Sequence, residues 1–202
     1  SARSYDWVQL RAAPKISTVP ENAWLVIVAD TSVSMGDGAM TDYSAGVSAW
    51  LSHFQGAHVA LVAFDRVARD VSKGWVTPRA AIESMQQWPK KSRNGSHVDL
   101  ALERARQLLA MAPAGAAKRV VVLTDARTRR ALTQARVDKA LLDTKAVVHV
   151  ANLSSGNATL EEDSDHAWRA GTQATGGLTW HASAGSNDTE NRSVFEEWAR
   201  PR

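Results

Sequence analysis

Cysteine is absent from this 202-residue chain. That absence excludes disulfides, thiolate metal ligands and a cysteine nucleophile, while leaving the compartment open. No apolar run approaches the roughly 20 residues a membrane-spanning helix requires, so membrane insertion by this segment is not expected. Charge of neither sign dominates: 24 basic against 21 acidic residues leave a net charge of +3. That balance falls short of the basic footprint of a dedicated nucleic-acid binder, and no nucleic-acid partner is expected. Internal repeats and low-complexity segments are missing too. The chain starts at Ser1 rather than Met and shows no signal peptide, the pattern of a piece cut from a longer protein. What remains is an ordinary globular composition, 44% hydrophobic and 22% charged, sized for one domain with a real core.

The chain is organised around Trp24 to Gly38. Trp24 to Ala29 is a continuous apolar run rich in branched side chains, as a strand buried on both faces should be. The turn after it presents Asp30, Ser32 and Ser34 as alternating oxygen-bearing side chains. Carboxylate and hydroxyl oxygens at the carboxyl end of a buried strand suit a hard divalent cation such as Mg2+.

Residues 1–22 read as a polar extension or linker with one short strand-like segment at Trp7 to Leu10, and residues 23–202 as the domain. Helical spacing marks Ala39 to Phe54, stopped by Gly56, and Ala57 to Phe64 is a second buried strand. Ala68 to Val71 reads as an edge strand joined by a hairpin at Asp65-Arg66. Pro78 opens a helix that runs over Arg79 to Trp88 and stops before Pro89. Further helices are expected at Val98 to Met111, about Leu132 to Leu142, Leu160 to Thr172 and Asn191 to Arg200. Glu161, Glu162 and Asp163 fall in the first turn of the third of these, where the helix dipole favours acid. Strands are expected at Arg119 to Thr124, ending on Asp125, at Ala146 to Ala151 and at Leu178 to His181. Alternation of this kind demands crossover connections: a doubly wound α/β fold with a mainly parallel central sheet of about six strands and helices on both faces. Such sheets bind ligands outside the carboxyl ends of their strands, where the strand order reverses. If the strands ending at Asp30 and Asp125 are neighbours there, the two carboxylates share one crevice.

Asp30-Thr31-Ser32-Val33-Ser34 resembles the Asp-x-Ser-x-Ser signature of the von Willebrand factor type A domain family. The match continues in Asn94-Gly95-Ser96, where the family has a threonine before a helix, in Thr124-Asp125-Ala126, usually Thr-Asp-Gly, and in Thr175-Gly176-Gly177. The resemblance spans about Ala23 to Arg200. It implies a metal-ion-dependent adhesion site holding Mg2+, with Mn2+ or Ca2+ as alternatives. Ser32 and Ser34 would bind directly, Ser96 directly or through water, and Asp30 and Asp125 largely through water. A partner protein's acidic residue would fill the vacant position. Ser96 keeps the hydroxyl but drops the methyl that helps fix the rotamer, and His97 beside it is a competitor better suited to softer ions. The resemblance is to bacterial members, and it points to an exported, envelope-associated location.

Electrostatics favour a metal over a pair of bare carboxylates. Two ionised carboxylates about 6 Å apart repel by roughly 3 kcal/mol at an effective dielectric near 20. Without a cation, one of them should raise its pKa or swing outward. The blander alternative is that Asp30 and Asp125 cap turns and the serines bond backbone, leaving a docking module with optional metal. A phosphotransferase or hydrolase using Asp30 is weaker still: Ser32 stands where a second Asp is expected, and neither a Gly-x-x-x-x-Gly-Lys loop nor a Gly-x-Ser-x-Gly elbow occurs. Ser96, His97 and Asp99 adjoin in sequence, which does not place a base against a nucleophile. No enzymatic turnover is expected. Lys90, Lys91, Arg93, Arg127, Arg129 and Arg130 fall on the same loops and are expected to steer an acidic partner. Among eight tryptophans, Trp75 is a candidate partner contact and the rest read mainly as packing.

Overall fold

The computed structural model describes residues 20–35, 39–89, 93–125, 139, 144–154, 161–162 and 168–183. The extension before residue 20 and the helices expected near 132–142 and 191–200 lie outside them, apart from Lys139, which is helical.

Seven strands form one sheet in the order β3-β2-β1-β4-β5-β7-β6. They are β1 (Ala23–Asp30), β2 (His58–Phe64), β3 (Ala68–Asp70), β4 (Ala117–Thr124), β5 (Val147–Ser154), β6 (Glu161–Glu162) and β7 (Thr179–Ser183). The five central strands run parallel, and β3 and β6 pair antiparallel at the two edges. The helices are α1 (Ala39–Leu51), α2 (Pro78–Ser84), α3 (Val98–Ala110) and α4 (Arg169–Ala174).

The period-2 alternation of each central strand sorts its side chains into two cores. Leu25, Ile27, Val59, Leu61 and Val121 pack with Trp50, Leu51, Phe54 and Trp88 on the α1 and α2 face. Val26, Val28, Val62, Val120, Val148 and Val150 pack with Leu102, Ala105, Leu108 and Leu109 of α3. Every residue of β1 from Leu25 to Asp30 is buried, which is why the strand reads as an unbroken apolar run up to Ala29. Trp75 packs edge-on against Trp24, 4.7 Å between ring centroids, and Trp24 stacks on His58 at the amino ends of β1 and β2.

Two expectations change. Thr77 caps α2 through a bond from the Ala80 N–H, but the α-helix stops at Ser84 and a single 3₁₀ turn continues to Gln87. Pro89 forbids its predecessor the helical conformation, so Trp88 leaves extended at ψ 142° and the last turn tightens. Glu161 and Glu162 are not the first turn of a helix; they pair antiparallel with His181 and Trp180 as β6. Pairing with an open sheet edge outweighs the dipole preference there, and charged residues suit an edge strand. The helix expected from Leu160 is α4, which begins at Arg169. Chain and sheet close tightly after it: a Cβ on Gly177 would lie 1.8 Å from the Val148 carbonyl oxygen, so that crossover admits only glycine.

From β1 the chain crosses to β2 on one side, while β4 lies on the other side of β1. The strand order therefore reverses between β1 and β4, and the carboxyl ends of those two strands flank the opening.

Candidate metal centre

Asp30 is the last residue of β1 and is fully buried. Its Oδ1 accepts the backbone N–H of Ser32 at 2.9 Å. Its Oδ2 accepts two hydroxyls, Ser96 Oγ at 2.8 Å and Thr124 Oγ1 at 2.8 Å. Residues from three separated parts of the chain thus converge on one carboxylate. Burial pushes the Asp30 pKa above the ordinary carboxylate value, with the bonds from Ser32, Ser96 and Thr124 opposing it. The cause is desolvation rather than the second carboxylate invoked from the sequence.

Three local features build this arrangement. Thr31 anchors the turn to β2, its N–H and its hydroxyl both donating to the Phe64 carbonyl at 2.7 and 3.0 Å. The chain then winds into a 3₁₀ turn, Val33–Met35, closed by the Met35 N–H on the Ser32 carbonyl. This winding sets Ser32 Oγ and Ser34 Oγ 3.1 Å apart. The loop before α3 is held by a backbone bridge between Ser32 and Arg93 and by the His97 N–H on the Asp65 carbonyl at 2.8 Å. Gly95 turns that loop at φ +110°, a conformation that strains any side chain. Ser96 is thereby delivered, buried, to Asp30.

Asp125 follows directly on Thr124 at the end of β4 and is half-buried, with its Oδ2 inaccessible to solvent. Asp30, Ser32, Ser34, Ser96 and Thr124 therefore stand in one hydrogen-bonded network, and Asp125 is the chain neighbour of its fifth member, Thr124. Thr124 is the residue to which sequence reasoning assigned no role. Parallel register supplies the signal: Ala29 lies opposite Leu123, which sets Thr124 beside Asp30. Asp65 is a second such residue. Burial opposes its ionisation, but the Arg69 guanidinium at 3.0 Å and the Val67 N–H outweigh that and hold its pKa below the ordinary range.

The donor set fits a small hard cation. It offers hydroxyl and carboxylate oxygens, and no group of three His, Asp or Glu side chains competes for a metal among the described residues. Neighbouring ligands on an octahedral Mg2+ stand about 2.9 Å apart, given metal–oxygen distances near 2.05 Å. The 3.1 Å between Ser32 Oγ and Ser34 Oγ matches that edge. Ser96 spends its proton on Asp30 and so keeps its lone pairs for another electrophile. The same bond disfavours Ser96 as a nucleophile served by His97, whose Nδ1 lies 3.9 Å from Asp99 Oδ1.

The family model for the von Willebrand factor type A domain matches residues 25–127, half of the chain, and that span contains every residue named at the site. The chain belongs to the von Willebrand factor type A domain family. Solved structures agree on the fold across more of its length. BatB from Bacteroides thetaiotaomicron superposes with TM-score 0.67 at 13% identity, covering 87% of this chain and 96% of that one. A von Willebrand factor type A protein from Catenulispora acidiphila gives 0.66 at 20% identity, covering 87% of this chain and 41% of that one. The pilus adhesin SpaC from Lactobacillus rhamnosus GG gives 0.62 at 14% identity, covering 88% and 29%. No curated protein matches the chain in sequence. Of the basic residues expected to steer a partner, Arg93 is exposed beside Ser32, whereas Lys90, Lys91, Arg127, Arg129 and Arg130 lie outside the described residues.

Proposed function

We propose that this von Willebrand factor type A domain binds a protein partner through a divalent cation, Mg2+ in the first instance, and performs no chemical turnover. Ser32, Ser34 and Ser96 supply hydroxyl oxygens, while Asp30 and Asp125 supply charge and orient water. A bound cation would offer a Lewis-acidic position to a carboxylate of the partner. Thr124 and the Ser32 N–H hold Asp30 in place for that task. The reading is carried above all by a fully buried Asp30 whose carboxylate gathers Ser96 and Thr124 from distant loops beside two serine hydroxyls 3.1 Å apart.

A cell-envelope or extracellular setting is supported by the names of fold relatives, a pilus adhesin and an aerotolerance-related membrane protein from Bacteroides fragilis. No helix among the described residues is long and apolar enough to cross a membrane. A second reading has one observation in its favour. Asp30 is satisfied by donors of this chain alone, which suits a docking module with optional metal. Calorimetric titration with Mg2+ and Mn2+ separates the two. Saturable binding that Asp30→Ala removes is expected, and a wild-type chain silent to both ions would leave only the docking module.

A further inference from the structure

The loop that carries Ser96 is fastened residue by residue. Arg93 bridges the Ser32 backbone, and Ser96 donates its hydroxyl to Asp30 at 2.8 Å. His97 gives its N–H to the Asp65 carbonyl at 2.8 Å. The Asn94 carbonyl accepts from Nε of Arg66, the residue after Asp65. The stem of the same Arg66 passes over Gly95, where a Cβ would stand 3.2 Å from Arg66 Cγ. Two successive residues of the hairpin between β2 and β3 therefore hold the backbone on both sides of Gly95-Ser96.

Arg66 differs from the other anchors. They are backbone groups or a buried hydroxyl, whereas Arg66 is an exposed side chain. Its charge is no help to a cation nearby, since like charges repel. What it offers the loop is one N–H, placed one bond beyond Cδ. Glutamine carries a neutral N–H donor at that same place on its side chain, and lysine has a methylene there. Charge and hydrogen bond can thus be separated by substitution.

We infer that Arg66 is a positioning residue of the candidate metal centre: its Nε bond to the Asn94 carbonyl fixes the loop that presents the Ser96 oxygen. The inference rests on the metal-dependent reading above and adds to it a residue that acts through Ser96 rather than on the cation. A ligand held in place before the metal arrives costs less ordering on binding, so loosening the loop weakens the site.

The test titrates Mg2+ calorimetrically into the unsubstituted chain and into Arg66→Ala, Arg66→Lys and Arg66→Gln. All three replace an exposed side chain, so the fold is retained. Mg2+ affinity should fall about tenfold in Arg66→Ala and Arg66→Lys, the low end of what losing an outer-shell partner costs a metal site. Arg66→Gln should match or exceed the unsubstituted chain. Amide hydrogen exchange at the His97 N–H, followed in chelator, should quicken in the Ala and Lys variants and stay slow in the Gln variant. Charge acting alone orders the variants differently: Arg66→Ala would bind more tightly, and Arg66→Lys would match the unsubstituted chain. Either of those results, or exchange unchanged in all three variants, would overturn the role of Arg66 and leave the metal reading standing. Absence of a Mg2+ heat in the unsubstituted chain would overturn both.

Discussion

The hydroxyl of Ser96 donates to Asp30 Oδ2 across 2.8 Å, joining residues 66 positions apart in the chain. This bond ties the loop before α3 to the end of β1. It makes the candidate metal centre part of the fold rather than an ornament on it. Removing either partner therefore has a structural cost as well as a functional one.

Ser96→Ala should lower the stability of the metal-free chain by about 1–3 kcal/mol, because a buried carboxylate loses one of its donors. Urea unfolding in the presence of a chelator measures this. Mg2+ affinity should fall in the same variant, and an unchanged unfolding midpoint would show that the bond contributes nothing.

Burial raises the Asp30 pKa above its ordinary value of 3.8, so the folded chain holds that proton more tightly than the unfolded chain does. Its contribution to stability is thus fully present below about 3.8 and is lost as the pH rises from there through the raised folded value. Asp65 runs the other way: its stabilisation is present above its ordinary value and is lost as the pH falls through the lowered folded one. The difference between wild type and Asp30→Asn isolates the first group. Followed by unfolding in chelator, wild type should lose ground to Asp30→Asn as the pH rises through that window, and saturating Mg2+ should reverse the loss. A difference that is flat with pH would contradict the assignment of the shift to Asp30.

Gly95→Ala combines a φ of +110° with a Cβ placed 3.2 Å from Arg66 Cγ. Such backbone strain costs on the order of 1–3 kcal/mol. The exposed Arg66 side chain is able to give way, so the strain lies in the backbone and should shift the loop that delivers Ser96. The expected outcome is a lower unfolding midpoint together with weaker Mg2+ binding. A variant that loses stability but binds Mg2+ normally would show that Ser96 is positioned independently of this turn.

Much of the frame was legible in the residues themselves. β1, β2 and β4 are apolar runs because helices cover both faces of the sheet, and nothing else competes to explain such runs. Asp30, Ser32 and Ser34 could be named because they are adjacent in sequence, and Ser96 through the resemblance of Asn94-Gly95-Ser96 to the family's loop before a helix. Thr124 was invisible as a donor to Asp30 since its role depends on strand register, which no local pattern encodes. Glu161 and Glu162 misled for the same reason: an acidic pair before a helix and an acidic pair on a sheet edge look alike until the edge is known.

The account depends on a cation seated among oxygens from the ends of β1 and β4 and the loop before α3. Anomalous scattering from a crystal of the chain grown with Mn2+ tests that directly. A single strong peak within bonding distance of Ser32 Oγ and Ser34 Oγ, and absent from Asp30→Ala crystals, is the predicted result. A map with no peak at those hydroxyls, or with Mn2+ held elsewhere on the chain, would contradict it.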